Sequence, residues 1–291
     1  MPSNTPLTDA INALTQYANE TTGASDTTLS DAVGTLVAGY GGGGGTNREA
    51  EILSGSLSGA YENTTATSLK LSVLQDCTQL TSVSLPAVTT AGNSVFRNDN
   101  RLTTINLPEL VSIGTYCFNN CSQLNNVYLP KLGVINNNSF ENCTGLTSAS
   151  FPNATRVNDS GLRNCRFSAI VLPKVTYIST YGLGNNANLT AVDFGALTQT
   201  NGGSCFLNDT SLTVVVIRTN AVATLTNINH FNGTPFASGG SGGTLYVPQA
   251  QISGYQSANN WSTILGYANN QIKAIEGSQY ENYYADGTVI E

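Results

Sequence analysis

A repeat of about 22 residues runs through the middle of the chain and constrains its fold more than any other feature. Each copy begins with a leucine or a phenylalanine, continues with an apolar pair at alternate positions and, in the clearest copies, includes a proline. The leading residues are Leu80, Leu102, Leu124, Leu146, Phe167, Leu189 and Leu212. Such a regular return makes unrelated domains implausible and predicts stacked structural units.

Each copy is expected to form one coil that contains a short strand. In the copy that begins at Leu124, Val127 and Leu129 point to one side of the strand, and Pro130 ends it because proline has no N–H group to donate. A second apolar anchor follows, namely Phe96, Phe118, Phe140, Leu162, Leu183, and Cys205 beside Phe206. Stacked at about 4.8 Å, seven coils would extend roughly 30 Å. The predicted fold class is an α/β repeat that is mostly β: a right-handed, capped leucine-rich-repeat solenoid with a parallel sheet, preceded by a short helical module.

Four of the six cysteines recur at one position of the repeat. They are Cys77, Cys121, Cys143 and Cys165. Asp99 fills the gap after the first of them, and Ala187 interrupts the row farther along. Neighbouring coils could bring such sulfurs within disulfide distance, but an interrupted row is more typical of small buried side chains, so reduced thiols are expected. The same is expected of Cys117 and Cys205, which lie beside the second anchor.

Segments of different composition flank the repeats. Apolar residues at helical spacing predict a helical hairpin within residues 1–40, followed by a glycine-rich linker at 41–50. So short a hairpin can hardly bury enough surface to be stable alone, and it is predicted to dock onto an assembly or to oligomerise; the alternative is a loosely ordered N-terminal arm. The other assignments are an N-terminal cap at 51–79, the repeats at 80–231, a glycine-rich loop and C-terminal cap at 232–276, and a tail at 277–291. The tail tyrosines, Tyr280, Tyr283 and Tyr284, would form either an interface strand or a frayed end.

The chain is acidic and carries few charges. It has 11 Lys and Arg against 18 Asp and Glu, a net charge of -7, while 40% of its residues are hydrophobic. Nucleic acid and anionic membrane surfaces are therefore not expected partners, because both favour basic proteins. No apolar run approaches the roughly 18 residues that span a bilayer, so no membrane insertion is expected. No signal peptide is visible, which indicates either cytoplasmic synthesis or a leader that has been removed.

Patterns for catalysis are weak. His230 is the single histidine, and its setting in a degenerate last coil is typical of a surface or loop residue. Residues 239–243 fit a G-x-S-x-G pattern but lack the flanking strand and helix that give it meaning. No set of His, Cys, Asp or Glu residues appears at the sequence spacing typical of metal ligands. No catalytic residue, cofactor or metal is predicted, although Glu109, Glu141 and Asp193 would be the carboxylates to test in a surface-polysaccharide hydrolase.

A binding surface is predicted on the outer side of the strands. The outward residues are Ser82, Ser84, Thr104, Asn106, Asn126, Tyr128, Ser148, Ser150, Ala169, Val171, Ala191, Asp193, Val214 and Val216. The candidate ligand-binding residues are Thr104, Asn106, Asn126, Tyr128 and Asp193, together with Glu109, Lys131 and Lys174 just past the strands. Hydroxyls and amides supply hydrogen bonds and the Tyr128 ring supplies stacking area, which suits a protein or a glycan. The alternative is an ordinary solvated face.

The repeat pattern resembles a known bacterial family. The sequence from Leu124 to Cys143 follows Leu-x-x-Ile/Val-x-Leu-Pro-x-Val-x-x-Ile-x-x-x-x-Phe-x-x-Cys closely, and this is similar to the BspA-like (Treponema pallidum-type) leucine-rich repeats over roughly residues 51–276. The ending, with Leu245-Tyr246-Val247-Pro248, looks like the C-terminal close of that family. The resemblance implies a non-catalytic surface or secreted protein involved in adhesion. Residues 7–45 are similar to N-terminal pieces of tail and tail-fibre proteins in phages and prophages of gut Firmicutes.

These features predict a non-catalytic recognition protein. The most concrete hypothesis is a phage or prophage tail-associated receptor-binding protein that contacts a bacterial surface protein or glycan, located in the virion or at an extracellular surface. Residues 1–40 would then join a homo-oligomer or the tail assembly. The alternatives are a BspA-like cell-surface or secreted adhesin and a surface-polysaccharide hydrolase.

Overall fold

A computed structural model describes residues 51–52, 56–236, 242–265 and 271–290. The helical hairpin predicted within 1–40, the linker at 41–50 and most of the G-x-S-x-G stretch lie outside these residues. The described part is a solenoid of parallel strands with a period of about 22 residues and little helix, so the predicted fold class is confirmed. No helix in the described ranges is long and apolar enough to cross a membrane.

Most repeats contribute two short strands, and the strands stack into two rows along the solenoid. The first row consists of β1 (Ser58–Glu62), β3 (Gln79–Ser84), β5 (Thr104–Asn106), β7 (Asn126–Tyr128), β9 (Ser148–Ser150), β11 (Ala169–Leu172), β13 (Ala191–Phe194), β15 (Val214–Ile217), β16 (Thr244–Val247) and β17 (Ile272–Ala274). The second row consists of β2 (Ser68–Leu69), β4 (Thr90–Ala91), β6 (Ser112–Ile113), β8 (Val134–Ile135), β10 (Arg156–Val157), β12 (Tyr177–Ile178) and β14 (Gln199–Thr200). The pairing is parallel and in register, so equivalent residues of successive repeats lie side by side.

Asparagines turn the chain between the two rows. Asn98, Asn120 and Asn142 have φ angles of 65°, 62° and 62°, in the left-handed region that asparagine tolerates better than most residues. Their side chains also form a ladder, in which Nδ2 of Asn120 donates to Oδ1 of Asn98 at 2.8 Å and Nδ2 of Asn142 donates to Oδ1 of Asn120 at 3.0 Å. The asparagines therefore have a structural role that the sequence analysis did not assign to them.

The apolar positions of the repeat form one continuous core between the two rows. Three of the predicted anchors, Phe96, Phe118 and Phe140, stack in a column with ring centroids 5.0 Å apart and nearly parallel planes. The spacing matches the distance between neighbouring strands, so each ring packs on the ring of the next coil. The predicted stacking of anchors into a core is thus confirmed.

The predicted row of thiols lies inside this core. All six cysteines are free and buried, as expected. The Sγ atom of Cys121 donates to the carbonyl oxygen of Phe96 at 3.0 Å, and that of Cys143 donates to the carbonyl oxygen of Phe118 at 3.1 Å. Burial raises the pKa of the Cys143 thiol to about 12, so it stays protonated and keeps its hydrogen to donate.

The position assigned to Ala187 in that row is wrong, because Ala187 is exposed and the buried Asn186 occupies the position equivalent to the cysteines. Its Nδ2 donates to the carbonyl oxygen of Leu162 at 3.1 Å, and its Oδ1 accepts from the backbone N–H of Cys165 at 2.7 Å. The repeat is shorter at this point, so Asn186 follows Cys165 after 21 residues. An amide therefore fits the space that a thiol occupies elsewhere, provided that its donor and acceptor are both used.

Aromatic residues close the C-terminal end of the core. Two short helices follow β16, α1 (Ile252–Ser257) and α2 (Trp261–Ile264). Nε1 of Trp261 donates to the carbonyl oxygen of Ala223 at 2.7 Å, and the Tyr255 hydroxyl accepts from the backbone N–H of Ala223 at 2.9 Å. The Trp261 ring also packs against Phe231, with centroids 5.8 Å apart. These contacts cover apolar side chains of the last repeat that would otherwise face water.

The interpretation of His230 as a surface or loop residue is wrong. It lies in a 3-10 helix (Ile228–Phe231), its side chain is fully buried, and Nε2 lies 2.9 Å from the Thr200 hydroxyl oxygen. Burial lowers the pKa of His230 to about 4. The imidazole is therefore neutral at pH 7, and it packs as a polar part of the core.

Candidate functional site

The exposed part of the first strand row is the candidate binding surface. We call it the strand face and define it by the outward residues Ser82, Ser84, Thr104, Asn106, Asn126, Tyr128, Ser148 and Ser150. The six residues on β5, β7 and β9 are exposed, whereas Ser82 and Ser84 on β3 are half-buried. All are uncharged and polar, and they repeat at the strand spacing of about 4.8 Å. The structure thus brings Thr104, Asn106, Asn126 and Tyr128 together on one surface.

Tyr128 is the most prominent side chain of this surface. It is 65% exposed, and its register partner on the neighbouring strand is Ser150. On the same face, Nδ2 of Asn106 donates to Oγ of Ser84 at 3.1 Å, which holds that amide in place. An aromatic ring set among hydroxyls and amides offers a flat stacking surface with hydrogen-bonding groups around it.

The charged residues predicted beside the strand face are already paired. Nζ of Lys131 lies 2.5 Å from a carboxylate oxygen of Glu109, and both side chains are about half exposed. Nζ of Lys174 donates to Oδ1 of Asn153 at 2.6 Å. These residues form a polar row at the corner that follows the strands. An exposed ion pair of this kind adds little to stability and stays available to a ligand.

The C-terminal tail covers the other part of the first strand row. Tyr280 is buried and contacts Tyr246 on β16 edge to face, with ring centroids 4.7 Å apart, and it packs with Val216 and Ile275. The tail then folds into a hairpin in which Tyr283 pairs with Val289. The tyrosine-rich tail is therefore not frayed at Tyr280, and it lies across the outer surface of β13, β15 and β16.

A buried ion pair holds the tail in place. Nε and Nη2 of Arg218 donate to the two carboxylate oxygens of Asp193 at 2.9 and 2.7 Å. Arg218 also donates to the carbonyl oxygens of Tyr280 and Tyr283 at 2.8 and 2.7 Å, and the backbone N–H of Ala285 donates to Asp193 at 3.1 Å. Burial raises the pKa of the Asp193 carboxyl group, whereas the hydrogen bonds and the charge of Arg218 oppose that shift. The contact through both carboxylate oxygens requires the ionised form of Asp193.

The prediction of Asp193 as an accessible ligand-binding residue is therefore wrong. Its side chain points outward from β13, as expected, but the tail covers it completely. The same cover explains why the outward residues Val214 and Val216 are apolar, because they pack beneath the tail instead of facing water. The sequence analysis missed Arg218, although the change from polar to apolar outward residues was a visible sign that something covers this region.

The three carboxylates considered for a hydrolase do not converge. Glu109 is paired with Lys131, Glu141 accepts from Arg163 at 3.3 Å, and Asp193 lies beneath the tail. Glu109 and Asp193 belong to coils four steps apart, a separation of about 19 Å at the strand spacing. A glycosidase pair requires carboxyl groups no more than about 9.5 Å apart. Across the described residues, no group of three or more His, Cys, Asp or Glu could hold a metal ion.

The strand rows, the repeated Leu-Pro strand ends and the column of buried rings define a leucine-rich-repeat solenoid. A family model described as "BspA type Leucine rich repeat region" matches six copies, over residues 56–166 and 111–235. Because these matches span more than half of the chain, the protein belongs to the BspA-type leucine-rich-repeat family. No protein with a curated description is significantly similar to it.

Two solved structures are similar at low identity. A leucine-rich cell surface protein from Faecalibacterium prausnitzii A2-165 is 15% identical, over 74% of this chain and 84% of its own, with a TM-score of 0.39. A leucine-rich repeat protein from Bacteroides ovatus ATCC 8483 is 13% identical, over 75% of this chain and 92% of its own, with a TM-score of 0.23. At this level of similarity, they carry no argument about the ligand.

Proposed function

We propose that this protein is a non-catalytic recognition protein whose strand face binds a glycan or a protein on a cell surface. The observation that carries the proposal is the exposed Tyr128 ring, surrounded by a regular array of uncharged hydroxyl and amide groups. Membership in the BspA-type family supports a role in adhesion or recognition. Binding through these groups requires no catalytic residue.

The chemistry of the strand face favours a neutral glycan over a protein. A sugar ring has one face of C–H groups that can stack on an aromatic ring, and its hydroxyls both donate and accept hydrogen bonds. Asn126 and Ser148 are paired in register beside Tyr128 and offer groups of both kinds. Protein interfaces, in contrast, usually centre on several buried aromatic or arginine residues, and this face has one ring.

The cellular setting is proposed in two forms. A receptor-binding protein of a phage tail would be carried in the virion and assembled through residues 1–40. A bacterial adhesin would be displayed at or secreted from the cell. The adhesin form is supported by the family, and the phage-tail form rests on the N-terminal resemblance alone.

A binding measurement with two tyrosine variants tests the proposed site. The full chain is screened on an array of bacterial surface glycans, and the best ligand is titrated by calorimetry. Tyr128→Ala should weaken binding about tenfold, the value expected for losing one aromatic stacking contact. Tyr283→Ala is the matched control, because this tyrosine is also exposed but lies on the tail. Equal affinity of both variants and the unaltered protein would refute the proposed site.

Solution mass distinguishes the two settings. Light scattering on the full chain and on a chain that starts at Thr46 compares the oligomeric states with and without the N-terminal segment. An oligomer that becomes a monomer on deletion would support multivalent display on a tail, where linked weak contacts add to avidity. Two monomers would argue against that form and favour the adhesin.

A further inference from the structure

A row of threonines links the repeats just before the second strand row. The Oγ1 of Thr89 donates to the carbonyl oxygen of Thr67 at 3.2 Å, that of Thr176 to the carbonyl oxygen of Thr155 at 3.3 Å, and that of Thr198 to the carbonyl oxygen of Thr176 at 3.1 Å. Threonine therefore has a regular structural role at this position, since each hydroxyl bonds one coil to the preceding one.

Val111 and Gly133 interrupt this row in two successive repeats. A Cβ atom built on Gly133 would meet only the carbonyl oxygen of Val111, at an ordinary contact distance of 3.8 Å, and the φ angle does not require glycine. Nothing in the local backbone therefore explains the loss of threonine. Its consequence is an open notch in the surface beside Val111, which is 49% exposed.

The notch is part of a groove of about 390 Å³. Val111 and Val134 contribute apolar side chains to its lining, and Asn136, Asn158 and Arg156 contribute polar ones. A groove of this size is at the lower end of the range for small-molecule sites and suits a single side chain with its adjoining groups. It lies on the second strand row and shares no residue with the strand face.

Arg156 is the positively charged residue in the lining of the groove. Its guanidinium carbon lies 4.1 Å from the centroid of the Tyr177 ring, which orients the planar group. Within the described ranges, no carboxylate lies at ion-pair distance from Arg156, which is exposed. A guanidinium held flat in this way presents paired N–H groups that match a carboxylate.

We propose that this groove binds the C-terminal residue of a partner polypeptide, with an aliphatic side chain in the notch at Gly133 and the terminal carboxylate on Arg156. Arg156 pairs in register with Val134, so their backbones lie about 4.8 Å apart on adjacent coils, and both residues line the groove. The carboxylate and the aliphatic side chain of one C-terminal residue can reach both. Charge complementarity selects the carboxylate, because the groove has a cation without an acidic partner.

The test uses N-acetyl-L-leucine as the probe, with N-acetyl-L-leucinamide as the uncharged analogue. The full-length protein labelled with nitrogen-15 is titrated, and the amide signals of Gly133 and Val134 are followed by NMR. Twelve non-hydrogen atoms at ordinary ligand efficiency give a Kd on the order of 1 mM. The amide analogue and the variant Arg156→Gln should each bind about fivefold more weakly, as expected for one exposed charge contact.

Gly133→Thr is the decisive variant. It restores the side chain that the repeat uses at this position, so the fold is preserved while the notch is filled, and binding of the probe should be lost. Tyr128→Ala should bind the probe unchanged, which separates this site from the strand face. Three results would each overturn the proposal: no saturable shift at Gly133 and Val134, equal binding by Gly133→Thr, or equal binding of the acid and its amide.

Discussion

Asp99 is a carboxylic acid within the buried row of thiols, and its replacement by asparagine is expected to stabilise the protein at neutral pH. The side chain is fully buried, and neither carboxylate oxygen makes a well-formed hydrogen bond among the described residues. Burial raises the pKa of Asp99 to about 8, although the nearby backbone amide of Cys77 opposes the shift. At pH 7 the folded protein therefore retains a proton that the unfolded chain releases.

The magnitude follows from the two pKa values. The ordinary pKa is 3.8 and the folded value is about 8, so stability falls by about 1.4 kcal/mol for each pH unit between them. At pH 7 the accumulated loss is about 4 kcal/mol. Below pH 3.8 the acid is protonated in both states and the loss disappears, while above pH 8 the loss no longer grows. Asparagine is neutral at every pH, and Asn186 shows that an amide is accommodated on this row.

Urea unfolding at about pH 4, 7 and 9 measures the effect. The variant Asp99→Asn should match the unaltered protein near pH 4 and exceed it by about 4 kcal/mol near pH 7. Asp99→Cys, which restores the common residue of the row, should behave alike. Cys143→Ser is the control, because the pKa of that thiol is about 12. The decrease in the free energy of unfolding that this variant causes should therefore be the same at pH 4 and pH 7. A difference between Asp99→Asn and the unaltered protein that stays constant from pH 4 to 7 would refute the reasoning.

Three further perturbations test other parts of the structure. Burial lowers the pKa of His230 to about 4, so the contribution of this residue to stability should fall by up to about 3 kcal/mol as the pH drops from about 6.5 to 4, opposite in sign to the Asp99 effect; in urea unfolding, the stability difference between His230→Gln and the unaltered protein should change by that amount. Arg218→Ala breaks the buried ion pair and should cost about 3–5 kcal/mol, with faster hydrogen exchange over residues 282–290; unchanged exchange would contradict the clamp. Phe118→Ala should cost about 3–5 kcal/mol in thermal or urea unfolding, whereas the exposed Tyr283→Ala should stay within about 0.5 kcal/mol.

The solenoid was predictable because its determinants lie within single repeats and then recur. Val127 and Leu129 alternate along one short strand, Pro130 ends that strand, and Phe140 follows at a constant distance. Their repetition requires equivalent residues to stack, and the stacked rings and buried thiols agree with that expectation. The exposed array around Tyr128 was predictable for the same reason, because alternate residues of a strand point to opposite sides.

Features that depend on residues far apart in the chain were not predictable from the repeat. Asp193 has the position of an exposed residue, but the tail, about 90 residues later in the chain, covers it. The tail donates a backbone hydrogen bond to Asp193 and accepts one from Arg218, the ion-pair partner of Asp193. His230 is buried, and Thr200 of the preceding coil lies at hydrogen-bond distance from its ring. The sequence by itself determined the period, the core and the direction of the side chains along the first strand row, since these follow from local alternation. Tertiary structure alone decided which outward side chains meet water, because that depends on where a distant segment packs.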